Sequence, residues 1–124
     1  LYDVSLPLRA MPAYIEDLRQ RFGEAFPDGV LHVFGHLGDG NLHLFLAPRS
    51  AAERQHELRQ SADEAVYTSL SRYGGAVSAE HGIGREKKDW LHISRNPEEI
   101  ALMRKLKRTL DPANILNRGL VFDA

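Results

Sequence analysis

His36 and His43 stand on either side of the tetrapeptide Gly38-Asp39-Gly40-Asn41, and Glu80 and His81 are neighbours within Ser78-Ala79-Glu80-His81-Gly82-Ile83-Gly84. Two imidazoles brought close together can share a divalent metal ion or flank a substrate, and a metal site usually needs a third protein ligand. The second cluster offers a carboxylate, Glu80, and a further imidazole, His81, able to accept a proton. Together they make the inventory of an open catalytic metal site with a general base beside it. The plainer alternatives are two polar residues on a wet strand face and a surface loop in which Glu80 helps to cap a helix. Neither glycine-rich stretch carries the Walker pattern or the dinucleotide fingerprint, so a phosphate cradle is the weaker reading. With no cysteine in the chain, thiolate zinc sites, disulfides and catalytic thiols are excluded.

Whether the histidines meet depends on the turn between them. Asp39-Gly40 is the commonest signal for a two-residue type I′ hairpin. Read that way, Gly38 pairs with Asn41, Leu37 with Leu42 and His36 with His43, with the paired Cβ atoms roughly 4.5–5.5 Å apart. The same register sends Val33, Leu37, Leu42, Leu44 and Leu46 to an apolar face, and His32, Phe34, Phe45 and Ala47 to the histidine face. One face is then buried and the other left open, as in a half-buried antiparallel pair. Asp39 serves the turn on this reading. Gly82 and Gly84 let the backbone of the second cluster approach a ligand.

The flanking elements follow from periodicity. Tyr2, Val4 and Leu6 alternate with Asp3 and Ser5, as in a strand, and a chain that opens inside an element reads as a piece of a longer polypeptide. Pro12 suits a first helical turn, and Ile15, Leu18 and Phe22 predict an amphipathic helix over 11–22. Ser50-Ala51-Ala52-Glu53 is a capping-box pattern, followed by the stripe Leu58, Ala62, Ala65, Val66, Leu70 and Tyr73 up to Gly74-Gly75. Residues 76–78 read as a short buried strand, and 85–91 as a short helix carrying a core Trp90. Asn96-Pro97-Glu98-Glu99 starts a helix with Ile100, Met103, Leu106 and Leu110 as its apolar face and Lys105, Lys107 and Arg108 at its C-terminal end; Asp111-Pro112 stops it. The order β-α-β-β-α-β, then helices, predicts an α+β fold: a ferredoxin-like antiparallel sheet with helices on one face, plus C-terminal helices. His32, His56 and His92 read as solvated. Arg85, Lys87 and Lys88 form either a solvated helix face or a patch that steers an anionic substrate.

At 124 residues with 43% hydrophobic and 27% charged residues, the chain reads as one globular domain. A net charge of -1 leaves no electrostatic footprint for nucleic acid. No apolar run reaches membrane-spanning length and no signal-peptide pattern opens the chain, so a cytoplasmic location is expected.

The segments "GHLGDGNLH", "SAEHGIGREK" and "DPANILN", in this order, resemble the C-terminal domain of FAD-linked 2-hydroxy-acid oxidases and dehydrogenases, a family that includes D-lactate dehydrogenases, the glycolate oxidase flavoprotein subunit and D-2-hydroxyglutarate dehydrogenase. "YDVSLPL" fits as well, so the resemblance spans essentially residues 1–124, nearest to the D-2-hydroxyglutarate dehydrogenase-like branch. It implies an α+β cap over a flavin that a separate N-terminal domain holds. It implies a divalent metal, commonly zinc, on His36, His43 and Glu80, and His81 as the base near the substrate hydroxyl. Asn41, Phe45 and Gly82 would lie near substrate or flavin, Asn41 alternatively serving only the turn. Some members carry asparagine where this chain has Phe45, many carry lysine where Leu1 stands, and the usual NPG is Asn117-Arg118-Gly119 here; Phe45 favours a less polar substrate side chain. The implied partners are a small 2-hydroxy acid and the chain's own FAD-binding domain, with a homodimer and membrane association of the full enzyme left open. Two other readings stay open: an interaction or dimerisation module of the same fold, and an unrelated His/His/Glu metallohydrolase.

Overall fold

The structure is a computed structural model that describes residues 1–47 and 55–123. Its centre is a three-stranded antiparallel sheet of β1 (Tyr2–Ser5), β2 (Val30–Phe34) and β3 (Asn41–Ala47), in the order β1-β3-β2. Both outer strands run antiparallel to β3, so β1 and β2 are parallel with β3 inserted between them, the split β-α-β arrangement. The fold is α+β, as the pattern predicts.

Helix α1 (Met11–Ala25) joins β1 to β2 and buries Met11, Tyr14, Leu18 and Phe22, a three- and four-residue spacing that lays one stripe on the sheet. It runs past the predicted end at 22. Helix α2 (Gln55–Tyr67) buries Ala65, Val66 and Tyr67 against the same face. The predicted stripe continues to Leu70, but through a 3-10 turn, Leu70–Tyr73, closed by Gly74 at φ 68°. Val4, Leu42 and Leu44 of the sheet, Tyr14 and Leu18 of α1 and Val66 of α2 form the centre of the core. Tyr14 donates its hydroxyl to the Val66 carbonyl at 2.9 Å, joining the two helices. The predicted capping box at Ser50-Ala51-Ala52-Glu53 lies outside the described residues.

The predicted strand at 76–78 shrinks to a single bridge. Ala76 and Ser5 exchange both backbone hydrogen bonds, 3.1 and 2.9 Å, on the free edge of β1. Beyond Ala76 the backbone donors turn to side chains instead of a ladder: Val77 N–H donates to Ser94 Oγ, and the next amides converge on Asp3. Because every buried amide needs an acceptor, that diversion ends the strand.

The predicted helix over 85–91 begins only at the 3-10 turn Lys88–Trp90 and continues as α3 (Leu91–Ser94). Gly82 and Gly84 upstream hold positive φ angles of 78° and 57°. Trp90 is half-buried and packs its ring on Tyr67, centroids 5.3 Å apart. Helix α4 (Pro97–Leu110) starts with a full capping box: Asn96 and Glu99 each accept the other's backbone N–H at 2.8 Å. Its predicted apolar face is not a core face, since no residue of α4 is buried and Leu106 and Leu110 are exposed. No described helix is long and apolar enough to cross a membrane.

Candidate functional site

The loop between β2 and β3 is longer than the predicted two-residue turn. Phe34 pairs with His43, Val33 with Leu44 and His32 with Phe45, so the predicted His36–His43 strand pairing is displaced by two residues. Residues Leu37–Asp39 form a 3-10 turn, and His36 O accepts the N–H groups of Asp39 and Asn41 at 3.0 and 3.2 Å. The cause lies just after β1. Leu6 N–H donates to Gly40 O at 2.8 Å, and Gly40, at φ 74°, lies so close that a β-carbon there would sit 2.7 Å from Leu6 O. Strand side chains alternate with period two, so a two-residue shift leaves the faces unchanged. Leu42 and Leu44 are buried, whereas His32, Phe34 and Phe45 lie exposed on the open face. Only Leu37 leaves its predicted place, exposed on the loop.

The loop still brings the two imidazoles together. His36 and His43 meet edge to face with centroids 5.7 Å apart. One ligand-capable atom from each of His36, His43 and Glu80 lies within 4.8 Å of the other two. His43 Nε2 is 3.1 Å from Glu80 Oε1. His43 is buried, and its Nδ1 has no hydrogen-bond partner, while His36 and Glu80 are exposed. Two imidazoles and one carboxylate, converging with one side open, are a donor set of the kind that holds a catalytic zinc and leaves a position for substrate. The residues present therefore fit a divalent ion. His81 stacks on His43 at 5.4 Å, and its Nε2 lies 3.5 Å from Glu80 Oε1.

The residue that organises this cluster is Asp3, which carried no functional reading in the sequence. Asp3 has no exposed surface and lies opposite His43 in the β1–β3 ladder. Its Oδ2 accepts the backbone N–H groups of Ala79, Glu80 and His81 at 2.8, 2.8 and 3.1 Å, and the Ser78 hydroxyl at 3.2 Å. Its Oδ1 faces the Lys87 ammonium and His81 Nδ1, the latter at 3.3 Å. Burial alone would raise its pKa, but the Lys87 hydrogen bond and the three backbone N–H donors outweigh that and hold the carboxyl well below the usual range. The signal was an acid between Tyr2 and Val4 in a strand, which has to find hydrogen-bond donors once a loop covers its face.

The other candidates are spread out. Asn41 is buried at the start of β3, with its Oδ1 unpartnered. Phe45 lies beside His32 on the open face, ring centroids 6.1 Å apart. Gly82 is exposed, with open space where a β-carbon would go. Asp39 stays in the turn, and His92 is exposed, with Nδ1 2.9 Å from Asp89 O. The basic run does not form one patch. Lys87 turns inward to Asp3, Lys88 pairs with Asp123 at 2.9 Å, and Arg85 reaches Arg118 O at 3.4 Å.

With this geometry in place, comparison with known proteins is specific. The chain is 37% identical over 124 residues to a D-2-hydroxyglutarate dehydrogenase of Stutzerimonas stutzeri, an alignment covering 98% of this chain and 27% of that protein. It is 41% identical over 124 residues to the enzyme of the same name from Xanthomonas citri, covering 98% and 26%. For the mitochondrial D-2-hydroxyglutarate dehydrogenase of Bos taurus the identity is 44% over 118 residues, covering 94% and 20%. The chain thus spans about a fifth to a quarter of the length of these relatives. The family pattern described as FAD linked oxidases, C-terminal domain, matches residues 1–121, and this chain belongs to that family.

Proposed function

We propose that this domain forms the substrate- and metal-binding side of the active site of an FAD-dependent D-2-hydroxy-acid dehydrogenase. The observation that carries the reading is the convergence of His36, His43 and Glu80 within 4.8 Å, with His81 stacked on His43. Similarity to relatives named as D-2-hydroxyglutarate dehydrogenases supports it. In the proposed arrangement the rest of the polypeptide binds FAD, since this domain carries no nucleotide-binding glycine fingerprint. Bound, a divalent ion would supply Lewis-acid polarisation at the α-hydroxyl, and the flavin a hydride acceptor.

The chain's own residues do the rest. His36, His43 and Glu80 would hold the ion. His81 takes the hydroxyl proton as the hydride leaves Cα, so that the 2-hydroxy acid becomes a 2-oxo acid. Phe34 and Phe45, both exposed on the face that carries His43, supply an apolar wall. They favour a substrate whose side chain is apolar over one with a second carboxylate, because desolvating an unpaired carboxylate against phenyl rings is costly.

The native flavin-loaded polypeptide that contains this segment provides the test. Elemental analysis should find a divalent metal in stoichiometric amount, lost in His36→Ala and Glu80→Ala. Anaerobic flavin bleaching should follow the addition of D-2-hydroxy acids, faster with apolar side chains than with a second carboxylate. Metal content that does not change in either variant removes the metal reading, and a flavin that no 2-hydroxy acid reduces removes the dehydrogenase reading.

A further inference from the structure

We infer that Asp3 is a positioning residue for His81: it fixes the imidazole with its proton on Nδ1 and leaves Nε2 as the nitrogen that works as the base. The inference rests on the proposed role of His81 as the base, and deepens it.

One carboxylate grips residue 81 twice. Asp3 Oδ2 accepts the His81 backbone N–H at 3.1 Å, while Oδ1 faces the ring at Nδ1, 3.3 Å away. Backbone and side chain are thus tied to the same buried group, which leaves the ring little freedom about either side-chain torsion. The same Oδ2 takes the Glu80 amide, so the loop position of Glu80 depends on the same anchor. An ionised carboxylate can only accept hydrogen bonds. Asp3 is ionised, with Lys87 and three amides donating to it, so Nδ1 of His81 must be the nitrogen that carries hydrogen. A neutral imidazole then has its lone pair on Nε2. That nitrogen lies 3.5 Å from Glu80 Oε1, but this oxygen faces His43 Nε2 more closely, at 3.1 Å, and belongs to the proposed metal ligands. The nearer Asp3 therefore accepts the His81 N–H, and Nε2 keeps its lone pair. The buried acid of a Ser-His-Asp triad orients its histidine by the same logic.

The decisive substitution is Asp3→Asn, which keeps size and shape. The asparagine oxygen can retain the three loop amides and Lys87 keeps the residue 3 carbonyl, but the NH2 group replaces the Oδ1 that bonded Lys87 and faces His81, where it donates to Nδ1. That reverses the tautomer and puts hydrogen on Nε2. In the native flavin-loaded polypeptide, kcat should fall about 100-fold or more, the range over which a general base acts, while KM and metal content stay near wild type. In a His81→Ala background, Asp3→Asn should change kcat by less than about twofold, because a positioning residue has nothing left to position. Lys87→Met separates this from support of the fold: it should lower thermal stability but reduce kcat far less than Asp3→Asn does. Histidine-labelled 15N NMR of the wild type reads the tautomer directly, whether or not Asp3→Asn folds. A His81 signal with hydrogen on Nε2 alone overturns the inference, as does an Asp3→Asn penalty that multiplies in full with that of His81→Ala. If the wild type reduces no flavin with any 2-hydroxy acid, the dehydrogenase reading fails, and the NMR spectrum still decides where the His81 proton sits.

Discussion

Lys87 reaches back to β1 and rests its ammonium on Asp3, bonding Oδ1 and the Asp3 carbonyl oxygen, the latter at 3.3 Å. The acid has no exposed surface and the Lys87 side chain is 13% exposed, so the pair lies under the Glu80–His81 loop, away from water. A buried pair is strong evidence of mutual dependence, though weak evidence of net stabilisation, because each charge has lost its hydration.

Removing one partner of that pair should therefore be severe. Asp3→Ala strands an ammonium and three loop amides, and should lower unfolding stability by about 3–5 kcal/mol. Urea denaturation measures this. A loss under about 1 kcal/mol would mean that the loop finds other acceptors and that Asp3 is not its anchor.

Gly40→Ala tests the hook between β1 and the histidine loop. The residue needs a left-handed φ, and a β-carbon would press on Leu6 O, so the cost should be about 1–3 kcal/mol. His36 would move with the loop, and metal affinity should weaken too. Gly38→Ala is the control, since nothing lies within 4 Å of its β-carbon position. Equal melting temperatures for the two variants would dismiss the hook.

Asp111 makes the acid limb of stability informative. Its carboxylate is held down to about 2 by the Lys107 ammonium and by the N–H groups of Ile115 and Leu116, against the tendency of burial to raise it. An ordinary aspartate titrates at about 3.9. The folded pKa is the lower one, so the stabilisation is complete above that ordinary value and disappears as pH falls through about 2. The melting-temperature gap between wild type and Asp111→Asn should be widest above about pH 5 and close below about pH 2. A gap independent of pH would show that the turn does not depend on this charge.

Tyr14→Phe asks how firmly α1 is tied to α2. The ring is fully buried and the hydroxyl bonds the Val66 carbonyl, so removing one oxygen should cost about 1–2 kcal/mol without changing the fold. Circular dichroism should stay the same while the unfolding midpoint drops. A midpoint equal to that of wild type would assign the helix pairing to apolar contact alone.

Much of the site was legible because it is local. The faces of β2 and β3 follow from alternation, and they survive even though the hairpin register is off by two residues. The error came from treating Asp39-Gly40 as a free turn. Its geometry is set by Leu6 N–H, which follows β1 and lies more than 30 positions away in the chain. The strand at 76–78 failed for the same kind of reason: Val77 and the amides after it bond side chains from distant segments.

From sequence alone came the α+β order, the capped start of α4 at Asn96-Pro97, the apolar stripes of α1 and α2 and the set of ligand-capable residues, all of which depend on neighbours a few positions apart. Tertiary structure alone decided that Glu80 would reach His43, that His81 would stack on it, and that Asp3 would hold both residues of the loop. Asp3 and His81 are 78 positions apart, and no local period links an acid in one strand to the amides of a loop that far away. Only folding β1 beside β3 takes that acid out of water, and an acid without water must find its hydrogen-bond donors wherever the chain brings them.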